Sequence, residues 1–126
     1  MKRKILVVDD NRDAADSLSK LLTLLGNEIR TVYDGLAAVE AAIQFQPSLV
    51  LLDIGLPKLN GYDAARRIRQ ECEGPLTLVA VTGWGQDEDR QRSHEAGFDL
   101  HMVKPVDLGA LQKVIAGLPV AAAAPT

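Results

Sequence analysis

Ile5-Leu6-Val7-Val8-Asp9-Asp10 and Leu49-Val50-Leu51-Leu52-Asp53 decide the fold. Each stretch is a short apolar run without polar alternation that ends in carboxylates. Such runs suit strands buried on both faces, as in a parallel sheet. The pattern returns at Leu76 to Val81, which leads into Thr82, and at Leu100 to Val103, which leads into Lys104-Pro105. As parallel strands of one sheet, these runs deliver Asp9, Asp10, Asp53, Thr82 and Lys104 to a single edge. Three carboxylates crowd together in water-poor surroundings only with a cation between them. The residues therefore call for a divalent metal, a nucleophilic aspartate and a lysine facing an anion.

Helical stripes separate the runs. Leu18, Leu21, Leu22 and Leu25 predict a helix that stops at Gly26, a natural C-terminal cap. Glu28 to Val32 predicts a weak peripheral strand, and Asp34-Gly35 a turn. Val39, Ala42 and Ile43 mark a second helix ending before Pro47. After Asp53 comes a loop with Pro57 and Asn60-Gly61, then a third helix lined by Ala64, Ala65, Ile68 and Cys72 and closed by Gly74-Pro75. A fourth helix is expected from about Asp87 to Ala96, its acidic first turn suiting the positive end of the helix dipole. The last runs from about Asp107 to Gly117. Strands alternating with amphipathic helices give five βα units, a parallel sheet covered on both faces and right-handed crossovers. Residues 1–118 read as one domain, and residues 119–126 as an Ala/Pro-rich tail or the start of a linker.

Composition narrows the function. The chain has 126 residues, enough for one domain with a proper core. Its 47% hydrophobic and 25% charged content is that of an ordinary globule. A net charge of −3 argues against electrostatic nucleic-acid binding. Lys2-Arg3-Lys4 is followed by too few apolar residues to be a signal peptide, and no segment has transmembrane length. A single cysteine, Cys72, excludes an internal disulfide and fits a reducing, cytoplasmic setting with the thiol inert. The cluster Arg66, Arg67, Arg69 reads as a solvated helix face, and His94 supports no role.

Val7-Val8-Asp9-Asp10, Leu51-Leu52-Asp53 with Leu56-Pro57 and Gly61 behind it, Val81-Thr82-Gly83, and Lys104-Pro105 together resemble the response-regulator receiver domain over nearly the whole chain. Each piece alone is weak, but their order and their placement at strand ends are specific. The resemblance is strongest to receivers of hybrid sensor histidine kinases or free-standing single-domain relatives. It implies a flavodoxin-like (βα)5 fold with strand order 2-1-3-4-5, which the spacing alone does not give.

The resemblance also implies the chemistry. Asp53 takes a phosphoryl group from a kinase phosphohistidine, as carboxylates can. Asp9 and Asp10 hold Mg²⁺, Asp10 directly and Asp9 through water, with Asp53 and the Gly55 carbonyl adding oxygens. Lys104 binds the phosphoryl oxygens as a point charge, across an implied cis bond to Pro105. The Thr82 hydroxyl donates to the phosphoryl group and draws the following loop inward, acting as ligand and switch. The partner is a sensor histidine kinase or phosphotransfer protein, with neither nucleic acid nor membrane, and the chain a monomer or weak dimer. The domain catalyses its own phosphorylation and dephosphorylation and is no metabolic enzyme. Output passes through the last two helices and the strand between them.

Each residue also has a plainer reading. Asp9-Asp10 before a helix is a common capping pair, and Thr82 a β-branched residue in a strand. His101 stands where many receivers carry Tyr or Phe, and reads equally as a modified switch or a partly buried structural histidine. Gly55 has no side chain to orient water, and Trp84 either shields the phosphoryl group, anchors a partner or folds back over the next helix. The rival functions are a binding-only receiver-like module, a flavin-binding domain and a haloacid-type phosphatase. The first should lack a key residue, and none is missing. The second needs a Ser/Thr/Gly-rich cradle where Asp9-Asp10 stand. The third needs an aspartate where Gly55 stands.

Overall fold

The computed structural model describes residues 3–56, 58–72, 74–83, 94–104 and 106–118. The strands are β1 (Lys4–Val8), β2 (Glu28–Val32), β3 (Leu49–Asp53), β4 (Thr77–Thr82) and β5 (Leu100–Val103). The helices are α1 (Arg12–Leu24), α2 (Gly35–Phe45), α3 (Gly61–Glu71) and α4 (Leu108–Ala116). All strand pairs are parallel in the order β2-β1-β3-β4-β5, the flavodoxin-like arrangement expected. Of the helix expected at about 87–96, only His94 to Ala96 falls among the described residues, and those are helical. Pro57, Trp84, Gly85, Pro105 and the 119–126 tail lie outside them.

The apolar runs serve two cores at once. Leu6 and Val8 of β1, Val50 and Leu52 of β3, and Leu78 and Ala80 of β4 face the core formed with α2 and α3. Ile5, Val7, Leu49, Leu51, Val79 and Val81 face the other, formed with α1 and α4. Successive strand side chains point to opposite faces, so a strand covered on both sides must be apolar throughout. That requirement is why these runs carry no polar alternation.

Side-chain caps fix the helix starts. Asn11, Asp34, Asn60 and Asp107 each precede a helix and accept a backbone N–H from its first turn. Asp34-Gly35 is thus a helix start and not the turn expected. The α1 stripe also differs from its expected form. Ala15, Ser19 and Leu22 are its buried ridge, while Leu21 and Leu25 are 46% and 49% exposed. Ser19 is tolerated there because its hydroxyl pairs with Thr31 Oγ1 of β2 at 2.7 Å.

Arg69 is the third difference. Its guanidinium is half-buried and donates to the Gly97 carbonyl at 2.9 Å, the Leu76 carbonyl at 2.7 Å and the Asp99 carboxylate. The same Asp99 oxygen accepts the Leu78 N–H at 2.9 Å, so α3, β4 and the entry to β5 are tied together. Arg66 and Arg67 are exposed, as a solvated face requires.

Candidate functional site

Register sets the site. Val8 lies opposite Leu52, Asp53 opposite Val81, and Thr82 opposite Val103, so the strands end nearly level. Pairing continues one step beyond them. Asp9 N–H donates to the Val32 carbonyl, Ile54 N–H to Val81 and Lys104 N–H to Thr82, at 3.3, 3.2 and 2.8 Å. The polar residues after each strand are therefore held by the sheet and not by free loop.

The expected residues meet. Carboxylate oxygens of Asp9, Asp10 and Asp53 lie within 4.8 Å of one another. Lys104 Nζ stands 2.9 Å from Asp53 Oδ2 and 3.2 Å from Asp9 Oδ2. The other oxygen of Asp53, Oδ1, accepts the Gly55 N–H at 3.0 Å. Asp53 is buried, Asp9 half-buried and Asp10 exposed. Thr82 is buried at the end of β4, joined to Lys104 through the backbone bond already described. His101 is half-buried in β5 opposite Ala80.

The capping explanation for Asp9-Asp10 does not hold. Asn11 caps α1, its side-chain oxygen accepting Ala14 N–H at 3.1 Å, while Asp9 Oδ1 accepts the Asn11 N–H at 3.0 Å. Asn11, which frees the two aspartates from that duty, was not singled out from the sequence, although an Asn just before a helix is a recognisable cap. Beyond β2, Tyr33 donates to Asp16 Oδ1 at 2.6 Å and Arg12 stacks 4.1 Å from its ring centre. No motif in the sequence pointed to that cluster.

Burial pushes the Asp53 carboxyl above its ordinary range, a neighbouring Asp9 adds to this, and the pull of Lys104 and the Gly55 N–H does not cancel it. Burial also works against the charge on Lys104, but hydrogen bonds and attraction from Asp53 and Asp9 outweigh it and hold the ammonium above its usual range. Three carboxylates and one ammonium sum to a formal charge of −2 (−3 + 1) in a partly desolvated cup. That donor set, all hard oxygen with charge left over, fits a divalent ion such as Mg²⁺. A cavity of about 470 Å³ opens beside it, with Val7, Ala15, Leu18, Leu51 and Val81 as apolar wall and Asp9 and Lys104 at the rim. Cys72, at the end of α3, is half-buried with its thiol pushed up by burial and by Glu71, an inert state.

Comparison with known proteins agrees with this geometry. Residues 5–116 match the family model of the response regulator receiver domain. The DNA-binding dual master transcriptional regulator RpaA of Synechocystis sp. is 31% identical over 106 residues, 83% of this chain and 44% of that protein. The chain thus spans less than half the length of that relative. The receiver domain of sensor histidine kinase PA1611 from Pseudomonas aeruginosa, with a magnesium ion coordinated in its active site cleft, is 31% identical. Its superposition has a TM-score of 0.82 and covers 91% of this chain and 95% of that one. A CheY-like receiver domain from Methanospirillum hungatei is 27% identical with a TM-score of 0.84, covering 92% of each chain.

Proposed function

This chain belongs to the response regulator receiver domain family, and on that premise we propose that it accepts a phosphoryl group on Asp53 from a histidine kinase or phosphotransfer protein. The observation that carries the reading is Lys104 Nζ at 2.9 Å from Asp53 Oδ2, on the rim of a cup shared with Asp9 and Asp10. An Asp53 oxygen bonds to phosphorus as the P–N bond of the donor phosphohistidine breaks, and the electron pair leaves with the imidazole. Lys104 meets the incoming phosphoryl oxygens, and Thr82 donates its hydroxyl to one of them. Asp10, Asp9, Asp53 and the Gly55 carbonyl are the residues that would hold Mg²⁺. When bound, the ion screens the carboxylates against the arriving anion.

The switch in this reading is Thr82 with the loop after it. His101, half-buried beside β4, moves little. Output passes through protein contacts on β5 and the two helices expected on either side of it. No described helix is long and apolar enough to cross a membrane. RpaA is a DNA-binding protein more than twice the length matched here, and the net charge of −3 on this chain gives nucleic acid no electrostatic foothold.

Intact-mass measurement with Mg²⁺ and acetyl phosphate tests the proposal. A single phosphoryl adduct is expected, and it should vanish in Asp53→Asn. No adduct in the wild type would leave a binding-only module as the reading, and an adduct that survives in the variant would move the acceptor away from Asp53.

A further inference from the structure

Gly55 and Leu59 both lie between β3 and α3, and Leu59 leans on the first turn of α2. A Cβ on Gly35 would lie 1.8 Å from the Leu59 carbonyl oxygen and 2.7 Å from its carbonyl carbon. Gly35 does not have positive φ, so conformational freedom is not the reason for a glycine there. The space its side chain would need is filled by another stretch of backbone. The far end of the loop is fastened in the same way. A Cβ on Gly61 would meet Ile54 Cα at 2.5 Å, and Gly61 N–H donates to the Ile54 carbonyl at 2.9 Å. Asp34 adds a third tie, capping α2 through Oδ1 and reaching Lys58 at 3.6 Å through Oδ2. Lys58 holds a left-handed φ of 68° within that loop. Its ammonium is exposed, and an exposed pair of this kind contributes little, so the backbone contact at Gly35 matters most.

We propose that Gly35 is a positioning residue for the metal cup: close approach of α2 to Leu59 sets where the Gly55 carbonyl stands, and so favours Mg²⁺ over Ca²⁺. This inference rests on the function proposed above. An added methyl group must move from 1.8 Å to the 3.4 Å of ordinary contact, so the loop or α2 shifts by more than 1 Å. Mg²⁺ demands near-ideal octahedral oxygens at about 2.0–2.1 Å, whereas Ca²⁺ accepts longer and more variable ones. A displaced carbonyl therefore penalises the smaller ion selectively, whereas general loosening would weaken both.

Titration calorimetry with Mg²⁺ and with Ca²⁺ on wild type, Gly35→Ala and the exposed neighbour variant Leu36→Ala decides the matter. In Gly35→Ala, Mg²⁺ affinity should fall about tenfold or more and Ca²⁺ affinity by less than about threefold, with Leu36→Ala matching wild type. Equal losses for the two ions, or no loss, would overturn the inference. Should Gly35→Ala not fold, wild-type amide NMR replaces it. Mg²⁺ addition should then shift the Leu59 and Gly35 signals together with Gly55, and shifts that stop at Gly55 overturn the inference. A wild type that takes up neither ion sinks the proposed function itself, which is seen before any variant is made.

Discussion

β3 and β5 end at the same edge but are built differently. β3 lies at the centre of the sheet, is buried at every position, and ends in Asp53. β5 is an edge strand of four residues, with Leu100 and Val103 exposed at 43% and 39%, and it delivers Lys104. The proposed nucleophile thus stands on a fully buried strand, and its cation follows an edge strand with no buried residue. A reacting carboxylate gains from being fixed, because displacement of about 1 Å costs rate heavily. In the proposed reaction, a lysine that first pairs with carboxylates and then with a phosphoryl group gains from freedom. The site is half rigid and half adjustable.

Four substitutions would sharpen or break that contrast. The largest effect is at Asp53, where Asn should abolish the phosphoryl adduct. It should also raise thermal stability at neutral pH, because the wild-type carboxyl is held above its ordinary range. A folded state that binds this proton more tightly than the unfolded chain is favoured at low pH. That advantage is lost as pH rises from the ordinary carboxylate value through the raised one. Melting curves of both proteins across this range should separate as pH rises, and parallel curves would contradict the burial argument. Next, Leu52→Ala in the central strand β3 should cost about 3 kcal/mol or more by denaturant unfolding, as deletion of fully buried methyl groups does. A cost near zero would break the contrast between centre and edge.

Lys104→Ala should slow phosphoryl uptake about a hundredfold, near 2.7 kcal/mol, while leaving the fold intact and Mg²⁺ affinity undiminished, since a competing cation is removed. Weaker Mg²⁺ binding in that variant would show that Lys104 props the cup and does not simply face it. Smallest of all, Leu100→Ala at the edge should change stability by no more than about 0.5 kcal/mol.

The central strands were legible in the sequence because a strand buried on both faces must be continuously apolar, and a polar group beside such a run stands out. Asp53 was visible for that reason, whereas Lys104 follows a short edge strand and stood out through its pairing with Pro105. Helix detail was less so. Asp34-Gly35 carries a turn signal as well as a cap residue, and the bond from Ala37 N–H to Asp34 Oδ1 is what makes it a helix start. Ser19 lies on the buried ridge of α1, but periodicity counts apolar residues and passes over a hydroxyl that finds Thr31 across the seam. Arg69 looked like one of three solvated arginines. Its place next to Ile68, at the border of the apolar stripe, is the one local hint that its stem runs inward.

The backbone bond from Lys104 N–H to the Thr82 carbonyl has a mechanical meaning. It is the next rung of the β4–β5 ladder, so the main chains of these two residues form one lever. In the switch proposed above, drawing the end of β4 toward a phosphoryl group would carry the root of the lysine side chain with it. On that reading, sensing and gripping are geared to one another without a separate relay.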